Sequence, residues 1–183
     1  CPFGNGYRLT GNEAYVPVML KGAESLSTRF DQNVGVIKSW NKFHEYDYPV
    51  IIDNMMNLEF LFWASKKSGN KKYYDISVTH ADNTLKNHFR PDNSSVHVLC
   101  YDKDGKVLAR KTAQGYSDES AWARGQAWGL YGYVVMYRET KDKKYLDQAV
   151  RIADFFITHP NLPKDKIPFW DFNAPEIPND VRD

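Results

Sequence analysis

Apolar positions recur at helical spacing in three stretches of the chain. After Asn12 they fall at Met19, Ala23, Leu26 and Phe30. From Lys71 they fall at Tyr74, Val78, Ala81, Leu85 and Phe89, and from Asp142 at Leu146, Ala149, Ala153 and Phe156. Each stretch predicts an amphipathic helix that buries one stripe and shows water the other. Two further stretches have another character. Met55–Ala64 is apolar almost all round, and Gly125–Tyr137 carries no charge. Both predict helices buried on most sides. Gly125, Gly129 and Gly132 lower helix propensity but share one face, which predicts a close helix contact there.

A weak repeat organises these stretches. Tyr7–Tyr15, Ser65–Tyr73 and Tyr137–Tyr145 each hold a short polar turn: Thr or Ser, usually Gly, then Asn or Asp, with Tyr three residues on. Gly supplies the left-handed residue that ends a helix, and Asn or Asp caps the next. The order is therefore buried helix, tight turn, amphipathic helix, long loop. An inner ring of helices wrapped by an outer ring, an α/α toroid, satisfies it. A helical solenoid is the competing architecture. The unequal intervals between Tyr15, Tyr73 and Tyr145 favour the toroid. About two and a half hairpins are expected, starting mid-hairpin at Cys1–Tyr7 and ending in the Pro-rich loop Pro160–Pro178. A closed ring needs more, so residues 1–183 read as one partial all-α domain. Val96–Ala109 alternates around Asp102-Lys103-Asp104-Gly105 and predicts a β-hairpin set between helix pairs.

Composition narrows the function. The 183 residues include 24 basic and 23 acidic side chains and a net charge of +1, without long runs of one sign. The basic footprint of a nucleic-acid binder is absent. No apolar stretch approaches the ~20 residues that cross a bilayer, and the start lacks a signal-peptide pattern. Cys1 and Cys100 make no disulfide framework, and the histidines show no ligand spacing, so neither a metal nor a cofactor is expected. Twelve Tyr, ten Phe and five Trp suit a core, or the lining of a sugar-binding cleft.

The long loops of such a toroid share a rim where inner helices begin, and helix N-termini favour anions. Asp53 stands just before Met55. It reads either as a helix N-cap or as a catalytic carboxyl whose pKa is raised by its apolar neighbours. Ser117, followed by Asp118 and Glu119, reads as an N-cap with first-turn acids. Arg124, at the edge of an uncharged helix, needs an anionic partner, either a protein carboxylate or a ligand. Trp122 and Trp128 flank it and could stack on a sugar or fill the core. His97 opens the hairpin and reads equally as a surface residue. Asn93-Ser94-Ser95 matches the glycosylation triplet, a pattern common by chance.

Two of these segments carry a family resemblance. Asp53-Asn54-Met55-Met56-Asn57-Leu58 with Trp63-Ala64, and Gln114-Gly115-Tyr116-Ser117-Asp118-Glu119-Ser120-Ala121-Trp122-Ala123-Arg124-Gly125-Gln126-Ala127-Trp128, resemble the hallmarks of unsaturated glucuronyl hydrolases of glycoside hydrolase family 88. Phe3–Gly11 and Phe169–Pro175 resemble the family as well. The resemblance implies an (α/α)6 barrel about twice this length. It implies hydrolysis of oligosaccharides that lyases leave with a 4,5-unsaturated uronic acid at the non-reducing end. Asp53 would be the acid/base that hydrates the enol ether. Asn54 would support Asp53. His97, Gln114 and Arg124 would contact the unsaturated sugar, and Trp122 and Trp128 would line its subsite. The family's second acid, in a His-Asp pair, would fall upstream of Cys1, so the stretch alone is expected to be inactive. An unsaturated rhamnogalacturonyl hydrolase of the same fold and a non-catalytic carbohydrate-binding helical fragment are the rival readings. The resemblance implies no cofactor, nucleic acid or membrane, and leaves the bacterial compartment open between cytoplasm and periplasm.

Overall fold

Residues 2–183 are described in the computed structural model. Six helices follow one another in three packed pairs: α1 (Pro2–Thr10) with α2 (Tyr15–Ser27), α3 (Leu58–Ser68) with α4 (Lys71–Asn87), and α5 (Ala123–Thr140) with α6 (Lys143–Thr158). α3 packs on α5, and Tyr7 of α1 meets the edge of Trp63 of α3. These first helices of each pair form one row. In the second row α2 contacts α4, and Tyr145 of α6 donates to Asp82 of α4 at 2.7 Å. The inner and outer rows of the toroid are thus present.

The expected half-hairpin is a full pair, because Pro2–Thr10 is helical despite Gly4 and Gly6. Its hold on the fold comes from Phe3 and Tyr7, one turn apart, against Tyr15 and Trp63. Cys1, where that half-hairpin was expected to begin, lies outside the described residues.

The repeated turns have the expected chemistry. Gly11 and Gly69 take φ of +65° and +72°. Asn12, Asn70 and Asp142 each accept the backbone N–H two residues on, at 3.0 Å. The third turn has no glycine, and Lys141 adopts the left-handed conformation instead, at φ +61°.

Three expectations about buried faces and helix bounds need correction. α4 buries Tyr73, Ile76, Ser77, His80, Ala81 and Thr84, whereas Tyr74, Val78 and Leu85 are only half-buried. Strand β2 (Val36–Ile37) lies against this helix, and its Ile37 N–H donates to His80 Nδ1 at 3.1 Å, while the Ser77 hydroxyl donates to the Tyr73 carbonyl of its own helix. Phe30 belongs to strand β1 (Phe30–Asp31), which pairs with β2, so α2 stops at Ser27. The inner helix expected from Met55 begins instead as a 3-10 turn, Ile52–Asn57, and becomes α-helical at Leu58.

The core joins Ile52, Met55, Leu58, Leu61 and Phe62 to Ile76, Ala81, Tyr133, Met136, Tyr145 and Ile152. Gly132 makes the close contact that its spacing predicted: a Cβ there would stand 2.4 Å from Met55 Cβ. Between Gly125 and Tyr137, α5 is buried on most sides as expected and exposes one stripe, Ala127, Tyr131 and Val134.

The hairpin exists as β4 (Val98–Tyr101) and β5 (Val107–Lys111), turning at Asp102, which accepts the N–H groups of Asp104 and Lys106. A third strand, β3 (Tyr48–Ile51), pairs antiparallel with β4. Periodicity did not reveal it, because it is short and holds a proline.

Candidate active site

Sheet register brings the site together. Ile51 of β3 lies opposite Val98 of β4, and the Ile52 N–H donates to the His97 carbonyl at 3.0 Å. Asp53, next after Ile52, and His97 therefore stand side by side, though far apart in sequence. The 3-10 turn begins at Ile51 in the cap position, with no side-chain cap. Asp53 is thus not the N-cap: the strand's hydrogen bonding already serves that end, and its carboxyl is left free. The side chain is 15% exposed. Burial raises its pKa to about 6, against the opposing pull of its own backbone N–H and the Arg124 charge.

His97 is buried, 4% exposed, rather than a surface residue. Its Nδ1 accepts the N–H groups of Ala113 and Gln114 at 3.1 and 3.2 Å. An acceptor at Nδ1 puts the proton on Nε2. That atom faces Asp53 Oδ2 at 3.7 Å, and neither has a hydrogen-bond partner. Burial lowers the imidazole pKa to about 4, so His97 is neutral at physiological pH and the contact is not an ion pair.

The Trp122 ring lies 4.4 Å from the His97 ring, and the Arg124 guanidinium sits 5.4 Å from the Trp122 ring centre. Arg124 is half-exposed and its anionic partner is a protein carboxylate, Asp183, at 2.6 Å. Helix α5 starts after Trp122, so Ser117 is not its cap. Residues 117–120 form a separate turn in which Ser120 N–H donates to the Ser117 carbonyl. Asp118 ties that loop to β5, accepting the Thr112 N–H and the Lys111 ammonium, both at 2.9 Å.

The remaining candidates are spread around this group. Gln114 has an exposed side chain and meets His97 through its backbone. Asn54 is buried and its amide donates to the Ile37 carbonyl at 2.6 Å, tying the 3-10 turn to β2. Trp128 lies one turn beyond Arg124, half-buried, edge-on to Tyr131. An open cleft of about 380 Å³ lined by Asp92, Arg151, Asp154 and His159 contains none of these residues.

Sequence reasoning missed Asp171. It is fully buried and accepts the Tyr116 N–H at 2.9 Å and the Ser120 hydroxyl at 2.7 Å. It thereby fixes the loop whose backbone fixes His97. Its position in Phe169–Pro175 was visible, but its partners lie more than fifty residues away and leave no periodic mark. Among the described residues, no group of three or more His, Cys, Asp or Glu could hold a metal ion, and no helix is long and apolar enough to cross a membrane.

The arrangement sets one carboxyl, its pKa raised to about 6, opposite a neutral imidazole N–H, in the range where a carboxyl can exchange a proton near neutral pH. The Trp122 indole lies against that imidazole, and the Arg124 guanidinium against the indole.

No protein-family model matches the chain. Individual relatives do. An unsaturated glucuronyl hydrolase of Formosa agariphila is 49% identical over 186 residues, covering all of this chain and 46% of the relative. An unsaturated chondroitin disaccharide hydrolase of Streptococcus agalactiae is 36% identical, covering 90% of this chain and 42% of the relative. The crystal structure of an unsaturated glucuronyl hydrolase specific for heparin superposes with a TM-score of 0.95 at 52% identity, over 99% of this chain and 49% of that one. The chain spans about half the length of the curated relatives it matches. Its helical pairs are accordingly a portion of an α/α barrel. By sequence and by backbone alike, the chain belongs to the unsaturated glucuronyl hydrolases, as a stretch about half their length.

Proposed function

We propose that this chain carries the acid/base half of an active site that removes a 4,5-unsaturated uronic acid from the non-reducing end of lyase-generated, glycosaminoglycan-type oligosaccharides. The observation that carries the reading is Asp53, largely buried with its pKa raised to about 6, facing the neutral N–H of His97. Hydration of an enol ether begins with a proton transfer to carbon, which a carboxyl held near pKa 6 can supply.

The protonated Asp53 gives its proton to C4 of the enol ether. The resulting carboxylate takes a proton from water as the water oxygen bonds to C5. The C5 hemiketal then opens to a ketone as the bond from C5 to the ring oxygen breaks and that oxygen takes the hydroxyl proton, leaving a hemiacetal at C1; the hemiacetal collapses to an aldehyde as the leaving sugar departs with its proton. His97 Nε2–H supplies a fixed donor beside Asp53, and Arg124 a cation for the uronate. Trp122 is buried between the His97 ring and the Arg124 guanidinium and backs the subsite, with Trp128, Gln114 and Asn54 around it. A second acidic group, placed by the family resemblance outside this stretch, would complete the site. The substrate class is supported by the relatives, one named for chondroitin disaccharides and one for heparin.

The test uses the full-length protein and an unsaturated chondroitin disaccharide in D₂O. Ultraviolet absorbance of the double bond should disappear and one deuteron should appear at C4 of the product. Asp53→Asn should slow the reaction by at least about 10²–10⁴-fold, the usual worth of a general acid. Persistent absorbance refutes the enzymatic reading. Activity in Asp53→Asn refutes only the role of Asp53.

A further inference from the structure

Arg124 is the cation of the proposed site, yet it is half-exposed, and the only carboxylate of its own helix, Glu139, lies at the far end of α5. What holds it is Asp183, 59 residues on. Asp183 grips one edge of the guanidinium: Arg124 Nη2 donates to Oδ1 at 2.6 Å, and Nε stands 3.2 Å from both carboxylate oxygens. A side-on grip of this kind fixes the guanidinium plane as well as its position.

Asp183 is itself anchored. Its backbone N–H donates to the Pro168 carbonyl at 3.1 Å. Arg182 bridges to Phe169, lays its guanidinium over the Phe169 ring at 4.6 Å, and pairs with Asp165. Trp170 donates to the Val181 carbonyl on one side, and its own carbonyl accepts the Ala123 N–H on the other. Trp122 bridges to Asp171, and Phe172 donates to the Ala121 carbonyl. Three extended segments, 121–123, 169–172 and 181–183, therefore lie side by side. The middle one joins the base of Arg124 to the base of Asp183. Both ends of the Arg124–Asp183 pair are fixed to one small ladder.

We propose that Asp183 is a positioning residue for Arg124. It occupies the Nε edge of the guanidinium and turns the remaining edge, Nη1 with the second Nη2 hydrogen, toward a substrate carboxylate. The inference rests on the functional reading above and adds to it a residue that neither the motifs nor the spacing indicated. Asp183 also has an electrostatic consequence. Arg124 pulls the Asp53 pKa down, and Arg124 is in turn paired with Asp183. A carboxylate on Arg124 offsets part of its charge as seen from Asp53, which keeps Asp53 protonated to higher pH.

The experiment compares Asp183→Asn, Asp183→Ala and Asp183→Glu in the full-length protein, following steady-state loss of the unsaturated uronide from pH 4.5 to 8. Asp183→Asn and Asp183→Ala should raise KM by about tenfold, with a smaller effect on kcat. Their alkaline limb should move to lower pH, because an uncompensated Arg124 favours the ionised Asp53. Asp183→Glu, which can re-form the pair, should recover part of both. A merely structural role would reduce the active fraction without moving KM or the pH profile, and that result overturns the proposal. So does a fall in KM, which would mean that Asp183 competes with substrate for Arg124. If Asp53→Asn is inactive while all three Asp183 variants behave as wild type, this inference fails and the functional reading stands. If the wild-type protein turns over no unsaturated uronide, both fail.

Discussion

Asp53→Asn should make the protein more stable at neutral pH while removing its activity. The Asp53 pKa is raised from 3.8 to about 6 by burial. Between those values the folded state binds more protons than the unfolded state, so stability falls as pH rises through that window. Below about pH 3.8 the carboxyl is protonated in both states and costs nothing. Above about pH 7 the folded protein carries a buried carboxylate that the unfolded chain would solvate. A shift of roughly two units corresponds to about 3 kcal/mol at 1.4 kcal/mol per unit. Residual solvent contact of the side chain trims this to about 2 kcal/mol. Asparagine is nearly isosteric with the protonated acid and does not titrate, so the cost vanishes in the variant. Urea denaturation of both proteins from pH 4 to pH 8 measures it. The variant's advantage should grow with pH and level off near pH 7, with Tm higher there by roughly 4–8 °C. Contributions from the histidines largely cancel in the difference. An advantage independent of pH, or one that grows on acidification, would refute a raised pKa at Asp53.

Gly132→Ala should destabilise by about 1–3 kcal/mol, since the new methyl meets Met55 Cβ and the Met55 carbonyl with no free space; an unchanged Tm would mean that α5 and the 3-10 turn do not touch as described. His80 and His88 are buried with pKa lowered to about 3 by desolvation, so the unfolded state binds the extra proton between about pH 3 and 6.5. Each should remove about 1.4 kcal/mol of stability per pH unit on acidification through that range. Asp53 opposes this as a single group, so the denaturant midpoint should still fall clearly from pH 6.5 to 4.5, and His80→Gln should flatten the slope. A flat midpoint in the wild type would refute the buried neutral histidines.

Local chemistry was legible in the chain itself. The turns at Gly11, Gly69 and Asp142 follow from which residues tolerate a left-handed backbone and which cap a helix, and these need only neighbours in sequence. The helical pairs follow from periodicity, and the close contact at Gly132 from the glycine spacing, because a helix repeats its geometry every few residues. The family resemblance likewise rested on contiguous motifs, and it singled out Asp53 and Arg124 before any contact was known. What stayed hidden depends on distant partners. The buried stripe of α4 was misplaced because β2 hydrogen-bonds to His80, a pairing no pattern within α4 records. β3 was too short to show alternation, yet its register against β4 is what sets Asp53 beside His97. The tautomer of His97 is decided by two backbone N–H groups of a loop held by Asp171, and the orientation of Arg124 by Asp183. Those effects are burial, hydrogen-bond direction and charge pairing between residues far apart in the chain, and they exist only once the fold has closed around them.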